Sequence, residues 1–197
     1  MDTHADRLKK ACKAIEGKNV APYCQLRAWL TDPSKRADFT RRFKSYYGLN
    51  AGGLTDDWKE KYFDILFSLD LSCTAEPYTP ILKELYEYAR KKGDRVLSFS
   101  FVSKLVAIHD ESRPLYDKHV SAFFGVAPPA TGSNDFRIAG FLRNLNMLQS
   151  TYIEWSGIQE FVDVIAELRR RFPCIACCHN GRLFDFLVWA VGHYKIG

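Results

Sequence analysis

The sequence predicts an all-α fold of eight to ten helices, and three observations lead to this prediction. Apolar residues recur every three or four positions through most of the 197 residues. Capping residues and glycines bracket these periodic segments. Alternating patterns are scarce, since only VLSFSFV at 96–102 resembles a strand and a single strand has no partner. We expect one helical domain over 1–197, with possible lobes at 1–78 plus 132–197 and at 79–131.

The N-terminal half predicts five helices, and each has a recognisable start or stop signal. Gly17 stops the first helix, and Gly48 stops the third, which Asp32 and Pro33 open as N-cap and first-turn proline. Thr55 is the expected N-cap of the fourth helix. The five segments are residues 3–16, residues 21–30, a helix from Pro33 to Gly48, a helix from Thr55 through Leu69, and a helix that Thr79 and Pro80 open and Gly93 ends.

The C-terminal half begins with an apolar segment, Leu97 to His109, and a short helix that Asp117 caps and Gly125 ends. VAPPATGSND at 126–135 is the Pro/Gly/Ser-rich linker of the chain. Three further helices follow it. They run from Asn134 to about Trp155, from the N-cap Ser156 through Phe172, and from Asn180 to the end of RLFDFLVWAVGHY.

With 47% apolar and 26% charged residues, the composition is typical of a soluble globular protein. No apolar run approaches the roughly 20 residues that span a bilayer. The N-terminal MDTHADRLKKACKAIEGK lacks the apolar block of a signal peptide. We therefore expect a cytoplasmic monomer that has no membrane partner and no small-molecule cofactor.

Positive charge is clustered, and the net charge is +5. Any one cluster is compatible with a solvated helix face, but several together indicate a phosphate-facing surface. The clusters are Arg27, Lys35, Arg36, Arg41, Arg42 and Lys44; Arg90, Lys91, Lys92 and Arg95; and Arg169, Arg170 and Arg171.

The six cysteines are expected to be reduced and mostly buried. Cys174, Cys177, Cys178 and His179 form a run that resembles part of a metal site. A zinc site usually needs a second ligand pair at a suitable spacing, and none is visible. We therefore expect no metal.

The stretch Ser98–Gly125 carries the residues with the clearest chemistry. Lys104 lies on an apolar segment behind Ser103, and Asp117 lies where the next helix begins, so the two are expected near the starts of neighbouring helices. A partly desolvated amine is a nucleophile, and a carboxylate at a helix start stays ionised. An exposed lysine and an aspartate that only caps are the alternative.

This stretch resembles the helix-hairpin-helix (HhH-GPD) DNA glycosylases, in which a lysine follows the hairpin and an aspartate in a Val-Asp-x-His-Val setting starts the next helix. More specifically, the chain resembles a group of bacterial proteins related to 8-oxoguanine DNA glycosylase. The run FKSYYG at 43–48 resembles the N-terminal half of that group. The matching residues are Phe101, Ser103, Lys104, Pro114, Tyr116, Asp117, His119, Val120, Asp185 and Trp189.

The resemblance implies a two-lobed enzyme that excises a damaged or modified base from double-stranded DNA, with or without AP-lyase activity. It assigns catalysis to Lys104 and Asp117. The implied base pocket consists of Phe101, Ser103, Tyr116, Tyr46, Asp185 and Trp189. The expected DNA contacts are Arg41, Arg42, Lys44, Lys91, Lys92, Arg95, Lys118 and His119.

Two alternatives remain open at this stage. SFSFV occupies the place of the family hairpin, which usually carries two glycines; if Gly93 marks the turn instead, Arg95 takes the place of the family lysine. The function then becomes a non-catalytic helical DNA-binding module. A helical protein-interaction subunit whose charges are only solvated is the other alternative. The excised base, and a role in repair or in defence against foreign DNA, do not follow from the sequence.

Overall fold

The computed structural model describes residues 2–50 and 53–197, without the side chain of Cys73. These residues form ten α-helices and three short 3-10 turns, and they contain no β-strand. The predicted all-α fold is therefore confirmed, and Phe99, Ser100 and Phe101 of the strand-like VLSFSFV belong to a helix. No helix in the described part of the chain has the length and apolar character that a membrane span needs.

The ten helices follow one another along the chain, and most bounds are close to the predicted ones. They are α1 (His4–Ala14), α2 (Gly17–Trp29), α3 (Arg36–Tyr46), α4 (Asp56–Ser68), α5 (Tyr78–Tyr86), α6 (Phe99–His109), α7 (Lys118–Phe124), α8 (Asn134–Trp155), α9 (Gln159–Arg171) and α10 (Asn180–His193). Two bounds differ: α2 begins at Gly17, which was expected to end the first helix, and α5 ends at Tyr86 rather than at Gly93.

Several helix starts are fixed by the predicted N-caps. Thr55 accepts a hydrogen bond from the Trp58 N–H at 3.3 Å, and Asp32 opens a 3-10 turn that leads into α3. Two predicted caps are wrong. Glu76, rather than Thr79, accepts the first N–H groups of α5, and Ser156 is the C-cap of α8 rather than the N-cap of α9. Glu76 takes the N–H groups expected for Thr79, whereas the hydroxyl and N–H of Ser156 both donate to the Tyr152 carbonyl, and α9 begins after Ile158 without a side-chain cap.

The chain divides into two compact units. The first comprises the residues up to Ala21 together with Glu111–Gly197, and the second is Pro22–Asp110, so that one boundary lies inside α2. These bounds differ from the lobes suggested by the sequence.

In the first unit α10 is the central helix, and α1, α7, α8 and α9 pack against it. Its residues from Gly181 to Val188 are all buried. Trp155 of α8 stacks on Phe161 of α9 with ring centroids 4.5 Å apart. A helix that is buried on every side in this way is stable only when neighbouring helices surround it.

In the second unit the core is aromatic. Phe39 and Phe43 of α3 are fully buried and meet rings of α4, including Phe63 at 5.7 Å. Helix α5 packs against α4 and α6. Trp58 of α4 stacks on Tyr62 at 5.2 Å, and the Tyr62 hydroxyl donates to the Phe101 carbonyl of α6 at 2.8 Å. This core holds the segment that carries Lys104.

Candidate active site

Asp117 is the N-cap of α7, as predicted from the sequence. Its Oδ1 accepts hydrogen bonds from the backbone N–H groups of His119 at 2.8 Å and Val120 at 3.0 Å. Its Oδ2 accepts no hydrogen bond from the described residues. Asp117 is half-buried. The carboxylate is thus held in place through Oδ1, as is usual for an N-cap aspartate.

The loop before Asp117 is anchored by Asp185 of α10. Both carboxylate oxygens of Asp185 accept the Leu115 N–H at 3.1 Å, and Oδ1 also accepts the Tyr152 hydroxyl at 3.1 Å. Arg182, one turn earlier on α10, pairs with Oδ2 at 2.9 Å, and each side chain of the pair is only 1% exposed. Asp185 therefore lies behind the loop that carries Asp117.

Burial raises the pKa of Asp185 from 3.8 to about 7. Arg182 and the hydrogen bonds from Leu115 and Tyr152 oppose this shift, whereas the negative charge of Asp117 adds to it. The two carboxylates therefore interact electrostatically, and Asp185 titrates near neutral pH.

A ring cluster follows Asp117 on α7 and α10. Trp189 stacks on His193 with centroids 4.4 Å apart, and the His119 ring lies 6.4 Å from Trp189. His119 fits because residue 192 is glycine, since a Cβ at Gly192 would lie 2.6 Å from Nδ1. Burial lowers the pKa of His119, and the charge of Asp117 opposes that shift. Trp189 is half-buried, so that part of its ring remains available for stacking.

Lys104 lies in the middle of α6, not at its start as the sequence suggested, and is only 8% exposed. Its amine donates to Ser100 Oγ at 3.1 Å and lies over the rings of Phe101 at 5.4 Å and Tyr47 at 5.7 Å. Ser103 is fully buried and donates to the Ser100 carbonyl at 3.0 Å. A lysine in such surroundings is not a solvated surface charge.

The structure distributes the predicted site residues over both units. Tyr46 contacts Tyr47 edge to face at 4.8 Å, which joins it to the surroundings of Lys104. Tyr116 is buried against Phe141. The first unit holds Tyr116, Asp117, Lys118, His119, Asp185 and Trp189, and the second holds Arg41, Arg42, Lys44, Tyr46, Lys91, Lys92, Arg95, Phe101, Ser103 and Lys104.

The basic clusters differ in the exposure and the hydrogen-bond partners of their side chains. Lys91 and Lys92 are exposed at a turn, where Arg95 pairs with Glu87 at 3.0 Å. Arg42 of α3 donates to Gln25 at 2.9 Å. The third cluster, at 169–171, was expected to face phosphate. That expectation is wrong for Arg169 and Arg171, because both donate to backbone carbonyls of the first unit.

A groove of about 500 Å³ lies beside α3 in the second unit. We call it the α3 groove; it is lined by Arg36, Ala37, Thr40, Arg41, Lys44 and Asn50. The cationic character of this lining is its main chemical feature.

The cysteine run does not assemble a metal site in the described residues, which contain no group of three or more His, Cys, Asp or Glu side chains suited to one. Cys178 is buried, whereas Cys174 and Cys177 are exposed. Cys12 is buried and Cys24 half-buried; the side chain of Cys73 lies outside the described part.

Sequence reasoning missed several residues of these sites. Arg182 was missed, although it stands three residues before the predicted Asp185 in an otherwise apolar helix, a spacing that signals a buried ion pair. Ser100 stands four residues before Lys104, the spacing of neighbours on one helix face. Tyr47 belongs to the run FKSYYG, but no role was predicted for it, and Tyr152 gave no local signal because only the packing of other helices brings it close.

No protein-family model, curated protein or solved structure matches the chain.

Proposed function

We propose that the protein is a DNA N-glycosylase that excises a damaged or modified base, with Asp117 as its catalytic carboxylate. The observation that carries the proposal is that the two oxygens of this carboxylate differ in their hydrogen bonds. Oδ1 accepts two N–H groups, and Oδ2 has no partner among the described residues. A preorganised, charged oxygen of this kind stabilises the positive charge that develops on the sugar as a glycosidic bond breaks.

Lys104 is the proposed nucleophile. Its neutral amine attacks C1′ of the flipped nucleotide, and the C1′–N bond breaks as the base leaves with that electron pair and takes up a proton. The nitrogen then loses a proton, and the C1′–O4′ bond breaks as O4′ takes up a proton, which leaves a Schiff base between the lysine and C1′. Ser100 accepts a hydrogen bond from the amine at 3.1 Å and so fixes its direction.

A hydrolytic form of the reaction needs only Asp117. In that form Asp117 takes a proton from a water molecule, whose oxygen attacks C1′ as the C1′–N bond breaks. The base leaves with that electron pair and takes up a proton, and the sugar becomes abasic. The trapping experiment below separates the two forms, because only the Schiff base is reduced to a stable covalent adduct.

The half-buried ring of Trp189 is the proposed stacking surface for the flipped base. We further propose that the chain works as a cytoplasmic monomer on double-stranded DNA. The exposed lysines of both units, including Lys91, Lys92 and Lys118, support an anionic partner.

The first test measures base release from duplexes that carry a panel of damaged bases and hypermodified cytosines. Asp117→Asn keeps a good N-cap but removes the charge, so we expect single-turnover rates to fall about 100-fold or more. Asp32→Asn makes the same change at an N-cap that accepts hydrogen bonds from Ser34 and from no proposed catalytic residue, and it is expected to keep full activity. Absence of base release across the panel contradicts the proposal.

The second test is borohydride trapping on the substrate found in the first. Wild-type protein and the exposed-lysine variant Lys13→Gln are expected to form a covalent adduct, whereas Lys104→Gln is not. Base release without an adduct in the wild type would assign the hydrolytic form.

A non-catalytic DNA-binding module is the second candidate function. The α3 groove favours it, because its cations lie apart from both Lys104 and Asp117 in sequence and need no chemistry to act. Salt-dependent binding without base release or adduct formation would support this function.

A further inference from the structure

Helix α3 has two sharply different faces. Phe39 and Phe43 point into the core and are fully buried, whereas Arg36, Thr40 and Lys44 repeat every four residues along the adjoining side. Residues at that spacing line up on a helix, so these three side chains form one row along the α3 groove.

The two ends of the row are held in place by aromatic rings of α4. The guanidinium of Arg36 lies 5.0 Å from the centroid of Phe67, and the amine of Lys44 lies 5.5 Å from that of Phe63. Neither makes an ion pair with a carboxylate of the described residues. A ring face orients a cation without occupying its N–H donors, so both keep donors for a ligand.

Negative charge near the groove is already partly engaged. Asp38 pairs with Arg41 at 2.5 Å, and Asp56 pairs with Lys59 at 3.0 Å. Arg41 is therefore the most neutralised cation of the lining, and Arg36 and Lys44 are the ones that present their charge to the groove.

We infer that the α3 groove is a phosphate-binding site that takes consecutive backbone phosphates of one nucleic-acid strand. The row from Arg36 to Lys44 is about 12 Å long at 1.5 Å per residue. One strand of a duplex carries about three phosphates over that length, so the row matches a polyanion better than a single phosphate. Thr40, between the two cations, adds a hydroxyl donor.

The inference rests on the proposed function only in taking DNA as the nucleic acid, and its test needs no catalysis. Fluorescence anisotropy with a short unmodified duplex measures the affinity at several salt concentrations. For Arg36→Ala/Lys44→Ala we expect about a tenfold weaker affinity at low salt. The slope of log K against log salt should fall by about two, one for each cation removed.

Three variants serve as controls. Arg36→Lys/Lys44→Arg keeps both charges and should keep the affinity and the slope, which excludes a loss that comes from damaged folding. Arg170→Gln/Lys13→Gln removes matched charges outside the groove and should leave the slope unchanged. Asp38→Asn should bind severalfold more tightly, because it frees Arg41.

Inorganic phosphate that competes as well as the duplex would overturn the inference in favour of a small-anion site. An unchanged slope in Arg36→Ala/Lys44→Ala would also overturn it, and would point to an acidic protein or to no ligand. Base release together with an unchanged slope would contradict phosphate binding in the α3 groove but not the glycosylase activity. The expected slopes without base release would contradict the glycosylase activity but not phosphate binding in the groove.

Discussion

Two basic clusters that look alike in the sequence are used in opposite ways. At the end of α9, Arg171 donates to the Cys12 and Ile15 carbonyls at the C-terminal end of α1, and Arg169 donates to the Ala176 and Cys178 carbonyls. Arg171 also lies over the ring of Phe172, at 5.1 Å. In the α3 groove, Arg36 and Lys44 lie over aromatic rings but donate to no carbonyl of the described residues.

The two clusters differ in the hydrogen-bond acceptors that surround each cation. A helix C-terminus leaves carbonyls without partners, and an arginine that reaches them becomes part of the structure. A ring face holds the charge but accepts none of its N–H groups. The number of positive charges in a segment therefore does not say whether they are available to a ligand; the acceptors around them do.

The largest effect on stability is expected at Arg182, a third arginine environment in which the side chain is fully buried. Asp185→Ala leaves Arg182 as a buried charge without this partner, and we expect a loss of about 3–5 kcal/mol of unfolding free energy. Urea denaturation followed by circular dichroism measures it. Base release should also fall, because Leu115 loses its anchor two residues before Asp117. A loss of unfolding free energy below about 1 kcal/mol would contradict the expectation that Arg182 needs Asp185 as its buried partner.

The pH dependence of the unfolding free energy is expected to distinguish Arg182, which stays charged, from Asp185, which titrates. Because the pKa of Asp185 is raised from 3.8 to about 7, the folded state holds an extra proton between these values. Its contribution is complete below pH 3.8 and is lost as the pH rises to about 7, by at most about 1.4 kcal/mol per pH unit.

Denaturation of the wild type and of Asp185→Asn at several pH values isolates this contribution. The lowered pKa values of His109 and His119 act in the opposite direction at acidic pH, but they are present in both proteins. Parallel stability curves for the two proteins would contradict the assignment of the titration to Asp185.

A smaller effect is expected for Arg171→Ala. It leaves the Cys12 and Ile15 carbonyls without that donor, which should cost about 1–3 kcal/mol. DNA affinity should not change. Arg170→Ala is the matched control, since Arg170 is exposed and pairs only with Glu167 among the described residues. Weaker DNA binding by Arg171→Ala would break the distinction between the two clusters.

The smallest effect on stability is expected for Arg36→Ala, about 0.5–1 kcal/mol from the contact with Phe67. The same denaturation experiment measures it beside Arg171→Ala. If Arg36→Ala proved the more destabilising of the two, Arg36 would be a structural residue like Arg171.

The predicted fold came from local signals, and most of them are confirmed. Helical periodicity located the helices, and Asp117 and Ser133-Asn134 mark the starts of α7 and α8 at or next to the predicted residues. Thr79 failed as an N-cap because Glu76 accepts those N–H groups, and Ser156 failed because its hydroxyl donates to the Tyr152 carbonyl in the last turn of α8. The glycosylase resemblance and the roles of Lys104 and Asp117 remain predictions.

The sequence by itself determined the helical class, most helix bounds and the capping position of Asp117, because periodicity and capping act within a few residues. Only the tertiary structure decided which charges are buried, paired or presented. Asp185 meets Leu115 and Tyr152, and Arg171 meets α1, across long stretches of chain. Burial and hydrogen-bond partners depend on such distant neighbours, and no local pattern encodes them.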